Sequence, residues 1–389
     1  MEKVIKFLAG FRLASVLLLL LMVLTFFGTW EQTTAGLYAT IQKYFTWKNF
    51  VVIPDIYING KLLPIPLPGA YWVSALLFVN MLLGGVIKMR KGWKKSGILV
   101  SHLGILILLL GGFVTHHFSQ RGNMALYEGE TSNFAQAYHD HSIEIALLNE
   151  EGLAQEISLF SQNTLSKVIK SEESGLTLKH TNLPFSLKVS HYLKNCRPRA
   201  VGPVAAGDTP TADGYALFKV KVEQADEANL NGCYVETSTG DKLLLFSGAY
   251  APYILEHEGK KYSISLRKSI WKMPFHVKLD DFNAEFFPTG KPKKFESYIS
   301  RLEGELSQKV KIYMNHPMRH KGFTFFQASW GPPEAGPHDT LYTVFEVVKN
   351  PADQWPLYSI LVTTFGLLGH FGYMLVVYIL NQTKQSKAS

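Results

Sequence analysis

The stretch "GILVSHLGILILLLGGFVTHH", residues 97–117, reads as a membrane-crossing helix with an imidazole, His102, near one end and two more, His116 and His117, at the other. A bilayer crossing takes about 20 apolar residues in a row, and residues 13–30, 71–87 and 358–380 meet the same demand. Between the third and fourth runs, roughly residues 118–355 have ordinary polar content and no comparable stretch. The sequence therefore predicts a multi-pass α-helical membrane protein with four transmembrane helices and one large domain. Its expected segments are 1–30, 31–70, 71–87, 88–96, 97–117, 118–355, 356–380 and 381–389.

Lys3, Lys6 and Arg12 precede the first run as they would a secretory signal. That run is longer than a signal core, and Phe26, Phe27 and Trp30 offer no small-residue cleavage site, so it is read as retained. Orientation follows from "KMRKGWKKSG", residues 88–97, which holds Lys88, Arg90, Lys91, Lys94 and Lys95 with no acid. Short basic loops stay in the cytoplasm, so both termini are expected inside and the large domain outside. Ten of the 39 Lys and Arg fall on the cytoplasmic side against one acid, Glu2, leaving 29 basic and 30 acidic residues elsewhere. The net charge of +8 is thus an orientation signal and excludes a nucleic-acid footprint. The basic loop is expected to meet anionic membrane lipids.

The large domain reads as mainly β, from "GYALFKVKVEQA", "DKLLLFSGAY" and "KYSISLRKSIW", as a sandwich or open barrel. Residues 201–214 read as a flexible insertion. "LPFSLKVSHYLKN" (183–195) and "MPFHVKLDDFNAE" (273–285) echo each other and suggest two related β units. In residues 31–70, "LYATIQKYFTWKNFVVI" fits either an interfacial amphipathic helix or a loop packed on the domain. The two cysteines, Cys196 and Cys233, form no CxxC. Three readings stay open: a structural disulfide, two free thiols, or a redox role toward a partner's thiols, such as those of a thiol-reducing protein.

Ionisable groups inside a membrane span are costly and signal function unless partnered. His102, about 8 Å inside the cytoplasmic edge by helix rise, and His370, expected near mid-depth, are the two such histidines. Gly104, Gly111, Gly112, Gly366, Gly369 and Gly372 leave room for close helix packing or for a flat ligand. From chemistry alone, haem ligation, a structural hydrogen bond and a proton relay all fit. A b-type electron carrier would need histidines at matched depth, which His102 and His370 lack.

Several segments in order resemble the ResB-type (CcsB) family of the System II cytochrome c maturation machinery. They are "LASVLLLLLMVLTFFGTWEQ", "SHLGILILLLGG", "LYEGETSNF", "MPFHVKLDDFNAEFFPTGKPKKFESYISRLEG" and "VKIYMNHPMRHKGFTFFQASW". The resemblance implies a bacterial cytoplasmic-membrane subunit of a holocytochrome c synthase, with the ligation site mainly in a ResC- or CcsA-type partner. Such a subunit moves haem outward and presents it, with apocytochrome c, for thioether attachment. It carries the intramembrane haem ligand onto His102 and leaves the second axial ligand to the partner; His370 matches no position of the family's motif, and from the residues alone it fits either a second ligand or a helix-packing polar contact. His116 and His117 are placed to pass haem or a proton onward. The tryptophan-rich haem-handling loop of the partner has no counterpart among these seven tryptophans. Within the last motif, Asn315 and Pro317 are expected to set a turn, Gly322 to start the next strand, and Gln327 and Trp330 to face opposite sides. His316 and His320 fit either haem or apocytochrome contact or a plain exposed loop. A second class of reading is a membrane-anchored scaffold that binds apocytochrome or a redox partner without ligating haem.

Overall fold

The computed structural model describes residues 1–47, 50–53, 57–58, 61–62, 65–89, 92–170, 175–201, 212, 214–289, 292–332 and 340–386. Most of the expected insertion at 201–214, together with Arg90, Lys91 and Lys387, lies outside the described residues. The chain forms two compact units, residues 1–119 with 350–389, and residues 120–349.

The first unit is helical. It contains α1 (Glu2–Leu8), α2 (Phe11–Ala35), α3 (Leu37–Tyr44), the short strands β1 (Val51–Ile53), β2 (Tyr57–Ile58), β3 (Lys61–Leu62) and β4 (Ile65–Leu67), then α4 (Ala70–Asn80) and α5 (Ser96–Phe118). After the β domain, which holds the α-helix α6 (Gln162–Lys170), the chain returns as α7 (Trp355–Ser386). Among the described residues four helical runs, Phe11–Ala35, Ala70–Ile87, Trp93–Phe118 and Trp355–Gln385, are long and apolar enough to cross a membrane.

Between lipid tails there is no hydrophobic drive for helices to associate, so close backbone approach and small polar contacts hold them. On α5, Gly97, Ser101, Gly104 and Gly111 form one small-residue face against α7. A methyl at Gly104 would lie 2.8 Å from the Thr363 nitrogen and 2.9 Å from the Ser359 carbonyl oxygen. The Ser359 hydroxyl donates to the Gly104 carbonyl at 2.8 Å, and the Ser101 hydroxyl to the Thr363 carbonyl at 3.2 Å. At one end of the pair the Thr115 hydroxyl and the Asn350 side chain are hydrogen-bonded.

Residues 37–44 form a helix, and it packs on α2 rather than lying free. Tyr44 is fully buried, and its hydroxyl donates to Glu31 at 2.7 Å, beside the Lys43–Glu31 ion pair. Asn80, buried in an apolar helix, is satisfied by donating to the carbonyls of Leu8 at 2.6 Å and Gly10 at 3.0 Å.

The second unit is β-rich. Its strands are β5 (Gln120–Tyr127), β6 (Thr131–Leu148), β7 (Ala154–Phe160), β8 (Leu176–Leu178), β9 (Leu187–Leu193), β10 (Cys196–Ala200), β11 (Tyr215–Lys219), β12 (Gly232–Thr237), β13 (Lys242–Phe246), β14 (Tyr253–His257), β15 (Lys260–Phe286), β16 (Pro292–Glu303), β17 (Leu306–Tyr313), β18 (Met318–His320), β19 (Phe323–Gly331) and β20 (Tyr342–Lys349). The largest sheet runs β17-β16-β15-β6-β5-β20-β19-β18, with β14 added to β15 and β7 to β6. A second sheet runs β13-β12-β9-β8.

The long strands β6 and β15 each serve two cores. One half of the ribbon packs with the four-stranded sheet and α6 around Ile143, Ile264, Leu187, Val235 and Leu165. The other half lines a core with Phe275, Val277, Phe325 and Phe345. Sandwich and curled sheet thus coexist. The Pro-Phe echo maps onto this division, because Phe185 is buried in the first core and Phe275 in the second. The helix α6 escapes a β reading of the sequence; its Leu165 and Val168 are spaced for one buried face.

Replacing Gly104 with Val is expected to drive α5 from α7, lowering the melting temperature in detergent and exposing the helix pair to protease. Gly369→Ala, at a position where an added Cβ meets no atom within 4 Å, is expected to leave both unchanged.

Candidate functional site

His102 lies on α5 about 140° around from the small-residue face, counting 100° per residue. There it meets the π-helical turn Met81–Ile87 that continues α4. A helix end leaves its last carbonyls without partners, and the His102 Nδ1–H donates to one of them, the Gly85 oxygen, at 3.0 Å. The other ring nitrogen, Nε2, makes no hydrogen bond among the described residues. Gly85 is what admits the ring, since a methyl there would lie 2.8 Å from His102 Nδ1. The signal for Gly85 in the sequence is the Gly84–Gly85 pair inside an apolar run.

His370 does not join His102. A methyl at Gly97 would lie 2.6 Å from the His370 nitrogen, so His370 sits level with the start of α5. It is therefore not at mid-depth as expected. The reason is alignment: Trp355, the first residue of α7, lies beside Gly111, seven residues before the end of α5, and this carries the middle of the longer α7 to the beginning of α5. His370 Nδ1 is buried without a hydrogen-bond partner in the described structure.

At the Phe118 end of α5, His116 and His117 are exposed and belong to a ladder of rings. Trp47 and Tyr71 lie 5.4 Å apart, Tyr71 and His116 4.5 Å, His116 and His117 4.9 Å, and His117 and Phe113 4.4 Å between centroids. Tyr71, Trp47 and Phe113 also line an apolar pocket of about 540 Å³ between α4, α5 and the segment after α3.

The family-motif residues shape the β domain. Asn315, with φ of 64°, sets a tight turn closed by mutual backbone hydrogen bonds between Tyr313 and His316. Lys321 and Gly322, both at positive φ, make the two-residue hairpin joining β18 to β19. Gln327 and Trp330 were expected on opposite sides, but an irregularity in the β19–β20 register between Gln327 and Ser329 resets the alternation and turns both inward. Gln327 then donates to the Thr343 hydroxyl at 2.8 Å and accepts from the buried Ser297 hydroxyl at 2.6 Å. Trp330 packs against Phe282, Phe286 and Phe295. His316 stacks on Tyr313 at 4.1 Å, and His320 pairs with Glu303 at 3.1 Å. In "LYEGETSNF", Glu128 accepts from the Phe282 backbone at 3.0 Å and Gly129 donates to the Leu279 carbonyl at 2.7 Å, tying the β5–β6 turn to β15.

Of the three readings of the cysteines, the structure has Cys196 and Cys233 as free, buried thiols. Their side chains belong to different clusters, Cys196 with Leu217 and Tyr234 and Cys233 with Val235 and Leu243. Burial pushes the Cys196 thiol up to about 11 and that of Cys233 higher still. Among the described residues no group of three or more His, Cys, Asp or Glu is placed to hold a metal ion.

Residues 248–341 match the model of the ResB-like family, about a quarter of the chain. The cytochrome c biogenesis protein CcsB of Prochlorococcus marinus is 31% identical over 86 residues, 22% of this chain and 18% of that protein. CcsB of a Synechococcus species is 30% identical over 103 residues, 26% and 21% of the two chains. CcsB of a Picosynechococcus species is 40% identical over 60 residues, 15% and 13%. The chain is thus similar to the ResB-like family over residues 248–341, and to the CcsB proteins over the parts they match. The matches span about a fifth or less of the curated relatives' own length.

Two measurements check this site description. Cys196 and Cys233 are expected to resist iodoacetamide in the native protein, and both to label on unfolding, as read by mass spectrometry. His141, on β6, is 4% exposed with Nδ1 on the His139 carbonyl, and burial lowers its pKa to about 4 from an ordinary 6.5. A base whose pKa falls on folding makes the unfolded chain the better proton binder, so stability is full above about pH 6.5 and declines toward pH 4. His141→Gln is expected to flatten that part of a denaturation-against-pH profile.

Proposed function

We propose that the chain is a membrane subunit of cytochrome c biogenesis that carries haem across the bilayer and presents it, with apocytochrome c, for thioether attachment. The observation that carries this reading is the state of His102: one ring nitrogen fixed on a carbonyl, the other left as a lone pair within an apolar span. Metal-ligating imidazoles characteristically donate their second N–H to a carbonyl or carboxylate, which fixes the tautomer and raises basicity. Haem is the cargo, and His102 Nε2 would supply an axial ligand where no water competes. In this reading the basic loop around Lys88, Lys94 and Lys95 lies in the cytoplasm, and the β domain lies outside, where it meets apocytochrome. A partner of the ResC or CcsA type supplies the second ligand and most of the attachment site, and the protein resides in the bacterial cytoplasmic membrane.

A second reading, a scaffold that binds apocytochrome without ligating haem, is favoured by the same hydrogen bond seen as a helix cap. It gains from the motif residues Gln327 and Trp330 being spent on internal packing. The two separate on His102→Ala in a strain lacking the native gene, read by covalent haem in c-type cytochromes and by haem bound to the purified complex. The transport reading expects both to fall at least tenfold, with recovery on adding imidazole; wild-type values would leave the scaffold. Gly85→Ala, which crowds the ring without removing it, is expected to weaken haem binding by about 10- to 100-fold.

A further inference from the structure

We propose that the cavity at the Ser96 end of α5 is a binding site for one anionic phospholipid, phosphate on Lys95 and acyl chain against Met89 and Leu99. The inference is independent of haem handling. Charge comes first: residues 88–97 hold five Lys and Arg and no acid. The side chains of Lys88, Lys94 and Lys95 make no ion pair or hydrogen bond among the described residues. Several cations elsewhere have partners within the chain, as Lys43 has Glu31, Lys194 has Asp226 and Lys311 has Glu296. Cations left unneutralised at the end of an apolar span draw their counter-charge from outside the chain, and the lipid phosphate is the anion a membrane surface supplies.

The cavity has the shape of chemistry that such a lipid needs. About 330 Å³ in volume, it is lined by Met89, Gly92, Trp93, Lys95, Ser96 and Leu99. Lys95 gives it a cationic side, while Met89 and Leu99 give it an apolar one. Trp93 is 94% exposed, and an indole in that state is at home at headgroup depth. The Ser96 hydroxyl donates to the Trp93 carbonyl at 2.8 Å, which ties this turn to the start of α5. A free anion would use Lys95 but leave Met89, Trp93 and Leu99 in water. A zwitterionic lipid would use the apolar side but bring its own cation against Lys95. One ligand satisfies both sides: a phospholipid with net negative charge.

The cavity also continues the seam that holds His102. Leu99 precedes His102 by three residues on α5, Met89 follows Gly85 by four, and His102 bonds to Gly85. A lipid seated there lies next to the turn on which the imidazole rests.

The test uses the full chain in mild detergent, with native mass spectra to count bound lipid and thermal unfolding to follow its effect. Wild-type protein is expected to retain one phosphatidylglycerol and to melt higher when it is added, with neither phosphatidylcholine nor inorganic phosphate doing the same. Lys95→Gln is expected to weaken phosphatidylglycerol binding about fivefold. Leu99→Trp, which fills the apolar side and keeps every charge, is expected to weaken it at least as much; Met89→Trp repeats this from the opposite wall should Leu99→Trp lower the melting temperature without lipid. Lys384→Gln, on the last turn of α7, is expected to change nothing. Equal retention of phosphatidylcholine, or protection by inorganic phosphate alone, would overturn the anionic lipid. Equal losses from Lys88→Gln and Lys95→Gln with both tryptophan variants silent would reduce the site to a diffuse surface charge and overturn it as well.

Discussion

The contact on which the architecture rests is the backbone approach of α5 to α7. Gly97, Gly104 and Gly366 have no side chain to hold the helices apart, and the hydroxyls of Ser101 and Ser359 bond to carbonyls across the gap. Where lipid surrounds both helices, this close packing takes the place that apolar burial has in water. The β domain is inserted between these two helices in the chain. Its first and last strands, β5 and β20, are paired from Gln120 opposite Lys349 onward. Helix pair and strand pair therefore each bring the two ends of the insertion together, one by small-residue packing and the other by a hydrogen-bonded ladder.

A consequence for α5 is that its faces have different duties. The face toward α7 is used up by packing, and this leaves His102 to a different neighbour, the turn that ends the second crossing. The imidazole there is neither stray nor simply buried. It completes a helix terminus with one nitrogen, and the other makes no hydrogen bond among the described residues. The structural contact and the proposed ligating role draw on different edges of one ring.

Much of this was legible in the sequence because it depends on local composition. Four apolar runs gave the crossings, alternating stretches gave the strands, and an imidazole in an apolar run marked His102. What escaped depends on how elements align. His370 stands in the middle of its helix, but depth is set by the longer α7 being matched to α5 at one end. Gln327 and Trp330 are three apart, which in an unbroken strand means opposite faces; the added residue in the register between them reverses that. The pocket beside His116 is assembled from α4, α5 and the residues after α3, and no single stretch announces it, although Trp47, Tyr71 and Phe113 were visible as aromatics near the ends of apolar runs. The three readings of the cysteines could not be narrowed from sequence, which gives the number of thiols and not the cores they point into.

The sharing of β6 and β15 between two cores bears on how force and disorder spread through the β domain. Each strand passes from the Ile143–Ile264 core into the Phe275–Phe345 core without a hinge loop between them. Loosening either end withdraws hydrogen-bonding partners from a ribbon the other end needs. The two cores are accordingly tied by two continuous strands rather than joined through a linker.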